Sequence, residues 1–333
     1  MGKYVFKKVL LGLMTIFFSF VMTFFLIRFA PGTPMMVIAN KENPNPEQIE
    51  YLMEKYDLDK PVSVQFTTYV KNALKGDFGY SYKSNLPVFE IIKRRIGPTL
   101  LLTLMATLIS IGLGILFGII ASRNLNGFVD KLFNHISYFF DAMPSFWLGL
   151  ILIYFFAGKL RWFPTSGLYN LRESYTGFKK FLDLMHHMAL PILTIVLIQT
   201  PIFYRIVRSS IVNVMNQNFI KTFRAVGLSE REIFNKYILK NALIPLVTVV
   251  GMSFAFAISG AALVEIVFGW PGMGRLIIES INSREYMVLN AVYLVISVSI
   301  VFFSILTDIV YGILDPRIRV WEKFLKKPNL KLA

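Results

Sequence analysis

Long apolar runs alternate with short polar segments along the chain, and the lengths of the runs predict the architecture. An apolar helix of about 20 residues crosses the roughly 30 Å hydrocarbon core of a bilayer. Six runs meet or approach that length, at 9–27, 99–121, 136–157, 188–204, 242–264 and 287–307. The pattern therefore predicts an all-α, polytopic membrane protein with six transmembrane helices.

One polar segment between the runs, at 219–245, itself has a helical pattern. Its apolar residues recur at helical spacing up to Gly227, which suits a left-handed C-terminal cap. Ser229 can cap a second helix, with Glu232 completing a capping box. The segment is predicted to be a helical hairpin, and its spacing alone is equally typical of an ordinary surface loop.

Composition supports the membrane class and excludes others. The chain has 333 residues, 55% of them hydrophobic, 31 Phe and a mean hydropathy of +0.57, unlike a soluble globular domain. It has no cysteine, which excludes disulfides and thiolate metal sites. The net charge of +15 comes from basic residues at the ends of the apolar runs rather than on one soluble face, so nucleic acid is not an expected partner.

Basic residues also predict the orientation. The positive-inside rule does not apply to long translocated segments, so residues 31–95 are not counted. In the rest of the chain, most Lys and Arg lie in the segments that would be cytoplasmic if the N-terminus is cytoplasmic. Both termini and the hairpin are therefore expected to face the cytoplasm. The first run follows three lysines, as in a signal peptide, but it is long for one and no small-residue cleavage site follows, so we expect a retained helix.

Three regions are expected. Residues 1–95 form the first transmembrane helix and an external cap with short helices at 47–56, 64–74 and 88–95. Residues 96–320 form a five-helix core that carries the hairpin, delimited at 216–240. Residues 321–333 are a basic cytoplasmic tail that contacts anionic membrane lipid.

Prolines and glycines mark expected features within the spans. The second span is predicted to begin at Pro98, because the first turn of a helix tolerates proline. Pro191 and Pro201 are expected to kink or interrupt the fourth span. Close helix approach, or ordinary bundle packing, is expected at Gly112, Gly114 and Gly118.

Three acids and a proline near the span ends are candidates for the path or gate of a transporter: Asp141, Pro144, Glu265 and Asp308. An acid beside a helix break is a functional candidate, although free backbone N–H groups also satisfy such an acid structurally. The glycine-rich turn at 265–275 lacks the features of a phosphate-binding loop. The adjacent His186 and His187 cannot point at one metal ion from a helix, and no metal site is expected.

The hairpin resembles the cytoplasmic EAA loop of ABC importer permeases. The whole chain is similar to their dipeptide/oligopeptide/nickel group, and most similar to the first, B-type peptide permease. The matching segments are PGTP (31–34), PEQIE to VSVQF (46–66), KGDFGYS (75–81), DAMPSFWLGL (141–150), WFPTSG (162–167), EIVFGWPGMG (265–274), REYMVLNA (284–291) and LDPRIR (314–319). The EAA letters fall on Lys-Thr-Phe at 221–223 here, and Gly227 keeps the signature glycine.

The resemblance implies a six-helix permease of the type I importer fold in the cytoplasmic (inner) membrane. It implies four partners: a second homologous permease in a heterodimer, two cytoplasmic ATPases and an extracytoplasmic solute-binding protein. ATP and magnesium would bind to the ATPases, and this chain would be neither an enzyme nor a cofactor binder. The residues that would contact an ATPase are Phe219, Lys221, Thr222, Phe223, Arg224, Ala225, Gly227, Leu228, Ser229 and Glu232.

Three functional hypotheses follow. The first is a permease subunit of an ATP-driven importer of peptides, and the second is the same machinery importing nickel or another small solute. The third class, a membrane enzyme or an ion-coupled carrier, needs a relay of acids within the spans. Asp141, Glu265 and Asp308 all lie near span ends, which argues against that class.

Overall fold

The computed structural model describes residues 2–30 and 57–314, together with residues 47, 50, 53 and 54. The PGTP turn at 31–34, the tail at 321–333 and most of the predicted helix at 47–56 lie outside the described residues. The described chain is helical. Its helices are α1 Gly2–Phe29, α2 Val62–Ala73, α3 Val88–Arg123, α4 Phe128–Asp141, α5 Ser145–Lys159, α6 Gly177–Met215, α7 Asn218–Ala225, α8 Glu230–Ala242, α9 Ile244–Ala257, α10 Ala262–Val267, α11 Met273–Asn282 and α12 Tyr286–Leu314.

The length and apolar character of the helices confirm a membrane bundle. In the part of the chain that the structure describes, α1, α3, α6 and α12 are each long enough to cross a bilayer. Two bent pairs bring the candidate spans to six, since α4 meets α5 at 100° and α8 meets α9 at 42°. The predicted third span is therefore a bent pair, whereas the predicted fifth span corresponds to α9, which α8 of the hairpin meets at the 42° bend.

The start of the second span differs from the prediction. α3 begins at Val88 and runs through Pro98 without a break, so the separate helix at 88–95 and the helix start at Pro98 are both wrong. Val88 and Ile92 are buried against α11 and α12, and this packing holds the first turns in line with the rest. The Pro98 carbonyl also accepts a hydrogen bond from Trp270 Nε1 at 3.0 Å.

Prolines do not interrupt the fourth span. α6 is continuous over 39 residues and contains both Pro191 and Pro201, so the predicted interruption is wrong. Leu190 and Phe203, close to the two prolines, are buried among hydrophobic residues of other helices, a setting in which membrane helices tolerate proline.

The fifth span ends earlier than the apolar run does. α9 stops at Ala257, and Gly260 adopts a φ of +75° before α10 begins at Ala262. A Cβ at Gly260 would lie 2.5 Å from Glu265 Oε1, so a glycine is required for space as well as for conformation. The break turns the chain toward the glycine-rich segment at 265–275.

Close packing of α3 on α6 forms the centre of the bundle. A Cβ added to Gly114 would lie 2.4 Å from Phe203 Cβ, and one added to Gly118 would lie 2.7 Å from Val207 Cγ1. Gly112 has open space around it. The predicted close approach is therefore confirmed at Gly114 and Gly118, and it is wrong at Gly112, which lies away from the contact.

Gly114→Ala is expected to destabilise the bundle by about 1–3 kcal/mol, because the added methyl group forces α3 and α6 apart. The measurement is the thermal unfolding of the purified protein in detergent. Gly112→Ala is the matched control on the same helix, since its methyl group enters open space. Equal losses in the two variants would contradict the close contact.

The first and last spans pack against each other in antiparallel orientation. Ser19 Oγ lies 2.9 Å from Ser297 Oγ, and Lys8 Nζ lies 2.7 Å from Asp308 Oδ2 nearer the chain ends. A Cβ on Gly12 would lie 2.5 Å from Val301 Cγ1 between them. The two ends of the sequence thus form one helix pair.

Candidate functional site

The hairpin at 216–240 begins with α7, which ends in a complete Schellman motif. The Gly227 N–H donates to the Arg224 carbonyl at 3.1 Å, and the Leu228 N–H donates to the Phe223 carbonyl at 3.2 Å. Gly227 has a φ of +84°, and no atom lies within 4 Å of a Cβ added there. The predicted left-handed cap is confirmed, and its need for glycine is conformational rather than steric.

The second arm of the hairpin, α8, begins with a side-chain cap. Ser229 Oγ accepts from the Glu232 N–H at 3.2 Å, which confirms the serine half of the predicted capping box, whereas the Glu232 carboxylate lies 3.6 Å from Lys236 Nζ. Arg224 joins the two arms, because its Nε lies 2.6 Å from Glu230 Oε1 and its Nη2 lies 3.2 Å from Glu230 Oε2. The hydrogen bond to Glu230 raises the pKa of Arg224 above its ordinary value, so the guanidinium stays charged.

The inner side of the hairpin is fixed to the bundle. Ile220, Ile233 and Ile238 are fully buried and pack with Ile211 and Val214 at the end of α6. The hairpin therefore packs directly against the end of α6.

Two aromatic rings join the arms of the hairpin on this side. The Phe223 and Tyr237 rings lie 4.2 Å apart between centroids, one from each arm. Together with the Arg224 to Glu230 bridge, this contact makes the hairpin one rigid unit.

A π-helical turn at Ile233–Ile238 interrupts α8. The Leu239 N–H donates to the Phe234 carbonyl, five residues earlier. In a regular α-helix, positions five apart point about 140° away from each other. The π turn brings Ile233 and Ile238 to the same buried side, whereas the sequence pattern predicts a regular helix here.

The residues predicted to contact an ATPase divide into two groups. The exposed ones lie on the outer surface: Lys221, Thr222, Arg224, Ala225, Gly227 and Ser229. The partly buried ones are Phe219, Phe223, Leu228 and Glu232. Val226 at the tip is 70% exposed, and the sequence reasoning missed it because helical spacing placed it with the buried apolar residues.

Ser229→Ala and Glu232→Ala are each expected to weaken the start of α8 by about 1 kcal/mol. The measurement is the stability of the assembled complex together with its stimulated ATP hydrolysis. Ser229→Asp is the control, because an aspartate caps a helix as well as a serine does. No change in either readout for the double variant would contradict the capping role.

Comparison with known proteins identifies the family. Residues 114–320 match the family described as binding-protein-dependent transport system inner membrane component, and residues 1–103 match the N-terminal family of the same membrane components. The chain belongs to this permease family.

Relatives of the permease are similar over nearly its whole length. Over 319 residues it is 33% identical to the probable peptide ABC transporter permease protein y4tP of Sinorhizobium fredii, covering 96% of this chain and 100% of the relative. It is 33% identical to the oligopeptide transport system permease protein AppB of Bacillus subtilis, with 96% and 99% covered. It is 35% identical to the glutathione transport system permease protein GsiC of Escherichia coli K12, again with 96% and 99% covered.

A solved structure shares the fold of the permease. A chain of the inward-facing MetNI methionine ABC transporter aligns with a TM-score of 0.53 and 16% identity, covering 68% of this chain and 97% of that chain. The fold and the family together make this chain a multi-pass permease of the cytoplasmic (inner) membrane.

A cavity of about 300 Å³, with mainly apolar walls and a few hydroxyl and amide groups, lies between α3, α6 and α9 of the permease. Thr107 Oγ1 donates to Gln199 Oε1 at 3.1 Å, and Thr103 Oγ1 lies 3.0 Å from the Ala257 carbonyl. Ser253 also lines the cavity. The sequence analysis missed these residues, although hydroxyl and amide groups inside apolar runs were the available signal.

Glu265 is fully buried in the glycine-rich turn at 265–275. Its carboxylate accepts from Thr99 Oγ1 at 2.9 Å and from the Arg275 N–H at 2.8 Å. Arg275 lies in the first turn of α11, whose N-cap Gly272 has no side chain. Glu265 therefore caps α11 from outside that helix.

The other predicted path or gate residues lie apart from Glu265. Pro144 caps the start of α5 at the 100° bend, and Asp141 Oδ2 lies 3.0 Å from Arg205 Nη1 on α6. Asp308 pairs with Lys8 on α1. Each of these acids thus has its own partner, and their role in a path or gate stays a prediction.

Two buried acids that the sequence analysis missed hold loops in place. Glu285 accepts from Ser81 Oγ at 3.1 Å and from the Tyr82 N–H at 2.9 Å, which joins the KGDFGYS and REYMVLNA segments. Asp130 accepts two hydrogen bonds from Arg208, at 2.5 and 2.7 Å, and joins α4 to α6. Both contacts span large sequence separations, which a reading of local patterns does not reveal.

Proposed function

We propose that this permease is one half of the membrane path of an ATP-driven, binding-protein-dependent peptide importer. Its expected partners are a second homologous permease, two cytoplasmic ATPases that hold ATP and magnesium, and an extracytoplasmic binding protein. Its near full-length similarity to permeases named for peptide, oligopeptide and glutathione transport supports a peptide substrate. Nickel or another small solute is the alternative that the partner chains would reveal.

The hairpin at 216–240 is proposed to be the element that couples this chain to an ATPase. Its exposed surface combines charged residues such as Lys221 and Arg224 with the apolar Val226 at the tip, a combination suited to a groove on a partner. Its buried side is fixed to α6, so a rigid-body push on the tip reaches the spans. The packing of the buried side of the hairpin onto the end of α6 is the observation that carries the proposal.

The path itself is proposed to include the cavity between α3, α6 and α9, whose hydroxyl and amide groups offer polar contacts. α6 lines this cavity with Gln199 and also carries the hairpin packing residues Ile211 and Val214. One helix therefore connects the proposed path to the proposed coupling element. We propose that both termini and the hairpin lie in the cytoplasm.

The test is purification of the chain from native membranes in mild detergent, with mass spectrometry of every protein that copurifies. A second permease, ATPases with phosphate-binding loops and a binding protein are expected. Uptake of labelled peptides by the reconstituted complex, with nickel as the comparison, then defines the substrate. Recovery of homo-oligomers alone would overturn the proposed function.

A further inference from the structure

A cavity of about 550 Å³ opens between the end of α1 and the start of α12. Its walls are largely apolar, formed by residues that include Leu26, Ile27 and Leu289. The remaining lining includes two tyrosines, Tyr286 and Tyr293, and one cation but no carboxylate among the residues that the structure describes. The cavity therefore combines an apolar wall with a positive charge.

The charge comes from Arg284, whose Nη1 is buried and makes no hydrogen bond within the described part of the chain. A buried donor without a partner costs free energy, more so when it is charged. Arg284 also has a φ of +52°, a conformation that glycine or asparagine adopts at lower cost. Arg161 shares this backbone conformation, so the unpartnered donor beside the cavity is the feature that indicates a place for an acceptor group.

The cavity lies at the membrane boundary of the α1 and α12 pair. Its α1 residues are in the last two turns of that candidate span, and its α12 residues are in the first two turns. Tyrosines concentrate at this depth, and lipid phosphates lie at the same level. An arginine there meets headgroups, while the apolar wall meets acyl chains.

We propose that this cavity holds one anionic phospholipid of the surrounding membrane. Its phosphate accepts hydrogen bonds from Arg284, and its acyl chain packs along Leu26, Ile27 and Leu289. The guanidinium is complementary in charge to a phosphate group, and the apolar wall beside it is complementary to an acyl chain. A lipid has both groups, whereas a free phosphate has only the first. The lipid joins the first and last spans of the permease at this end of the pair.

The test uses the assembled transporter in nanodiscs that contain phosphatidylglycerol and phosphatidylcholine. After extraction in detergent, native mass spectrometry counts the lipids retained by the complex. The wild-type protein is expected to retain one phosphatidylglycerol more than Arg284→Asn does. In that variant, the occupancy of this site is expected to fall about tenfold, because the loss of one charge-assisted hydrogen bond weakens binding by about that factor.

Asparagine suits the left-handed conformation, so a loss of lipid in this variant does not come from misfolding. Arg284→Lys keeps the charge and is expected to restore most of the retention. Arg161→Asn is the matched control, because Arg161 has a similar φ of +56° and lies outside the cavity.

Equal lipid retention in the wild-type protein and in Arg284→Asn would overturn the proposal, as would an equal loss in Arg161→Asn. Glycerol phosphate added in excess distinguishes a site for a lipid headgroup from a site for a free phosphate group. The lipid is expected to remain bound in its presence, since the acyl chain contributes to binding. Displacement by glycerol phosphate would indicate a site for the phosphate group alone.

Discussion

Gly227→Val is expected to lower transport per ATP hydrolysed at least about tenfold while the complex still assembles. Gly227 has a φ of +84°, and a β-branched residue in that conformation costs more than the roughly 1–2 kcal/mol of an ordinary side chain. The turn must then change, and the exposed tip of the proposed coupling hairpin moves with it. Peptide uptake and ATP hydrolysis, measured together in proteoliposomes that contain the whole transporter, give the ratio.

Two further variants distinguish a specific role of the hairpin turn from a general effect of backbone strain. Gly227→Asn tolerates the left-handed conformation and is expected to retain most of the coupling. Gly76→Val introduces equivalent backbone strain, because Gly76 has a φ of +83° and open space around it. Gly76 lies in the predicted external cap segment at 31–95, away from the hairpin, so this variant is the control for strain alone. Normal coupling in Gly227→Val would exclude a left-handed turn at the tip as a requirement for transport.

Glu265→Ala is expected to destabilise the permease by about 3 kcal/mol. The change leaves the Thr99 hydroxyl and the Arg275 N–H without their buried acceptor and opens a cavity. Glu265→Gln keeps the shape and one acceptor oxygen but replaces the other oxygen with an NH₂ donor, so a smaller effect is expected. Thermal unfolding of the purified complex in detergent measures both.

The control is another acid that contacts the same helix. Glu279 on α11 pairs with Arg275 at 2.6 Å but is 41% exposed, and its replacement by alanine is expected to cost under about 1 kcal/mol. Gly272→Ala tests the site from the opposite side, since its Cβ would lie 2.3 Å from the Glu265 carboxyl carbon. If Glu265→Ala and Glu279→Ala lower the unfolding temperature equally, Glu265 does not cap α11.

The features that the sequence predicted well depend on a few adjacent residues. The left-handed Gly227 and the Ser229 cap are set by backbone geometry within one turn, so the hairpin could be predicted in detail. The length of an apolar run likewise indicates a membrane span. The family resemblance rests on many short segments, each of which is also local.

The features that were missed depend on residues distant in the sequence. α3 continues through Pro98 because Val88 and Ile92 pack on α11 and α12. The π turn exists because Ile233 and Ile238 both meet the end of α6. The patterns of single segments do not contain these contacts, so the bends, the π turn and the buried acids had to come from the structure.

The pairing of α1 with α12 affects the order of events during synthesis. Ser19 and Ser297, which meet in the middle of the pair, are separated by 278 residues. At the usual rate of about 5–20 residues per second, roughly 15–55 s pass before the ribosome has added the second of them. During this time α1 lies in the bilayer without α12, the helix that it contacts in the folded protein. A nascent chain truncated before α12 also lacks Asp308, the carboxylate that pairs with Lys8.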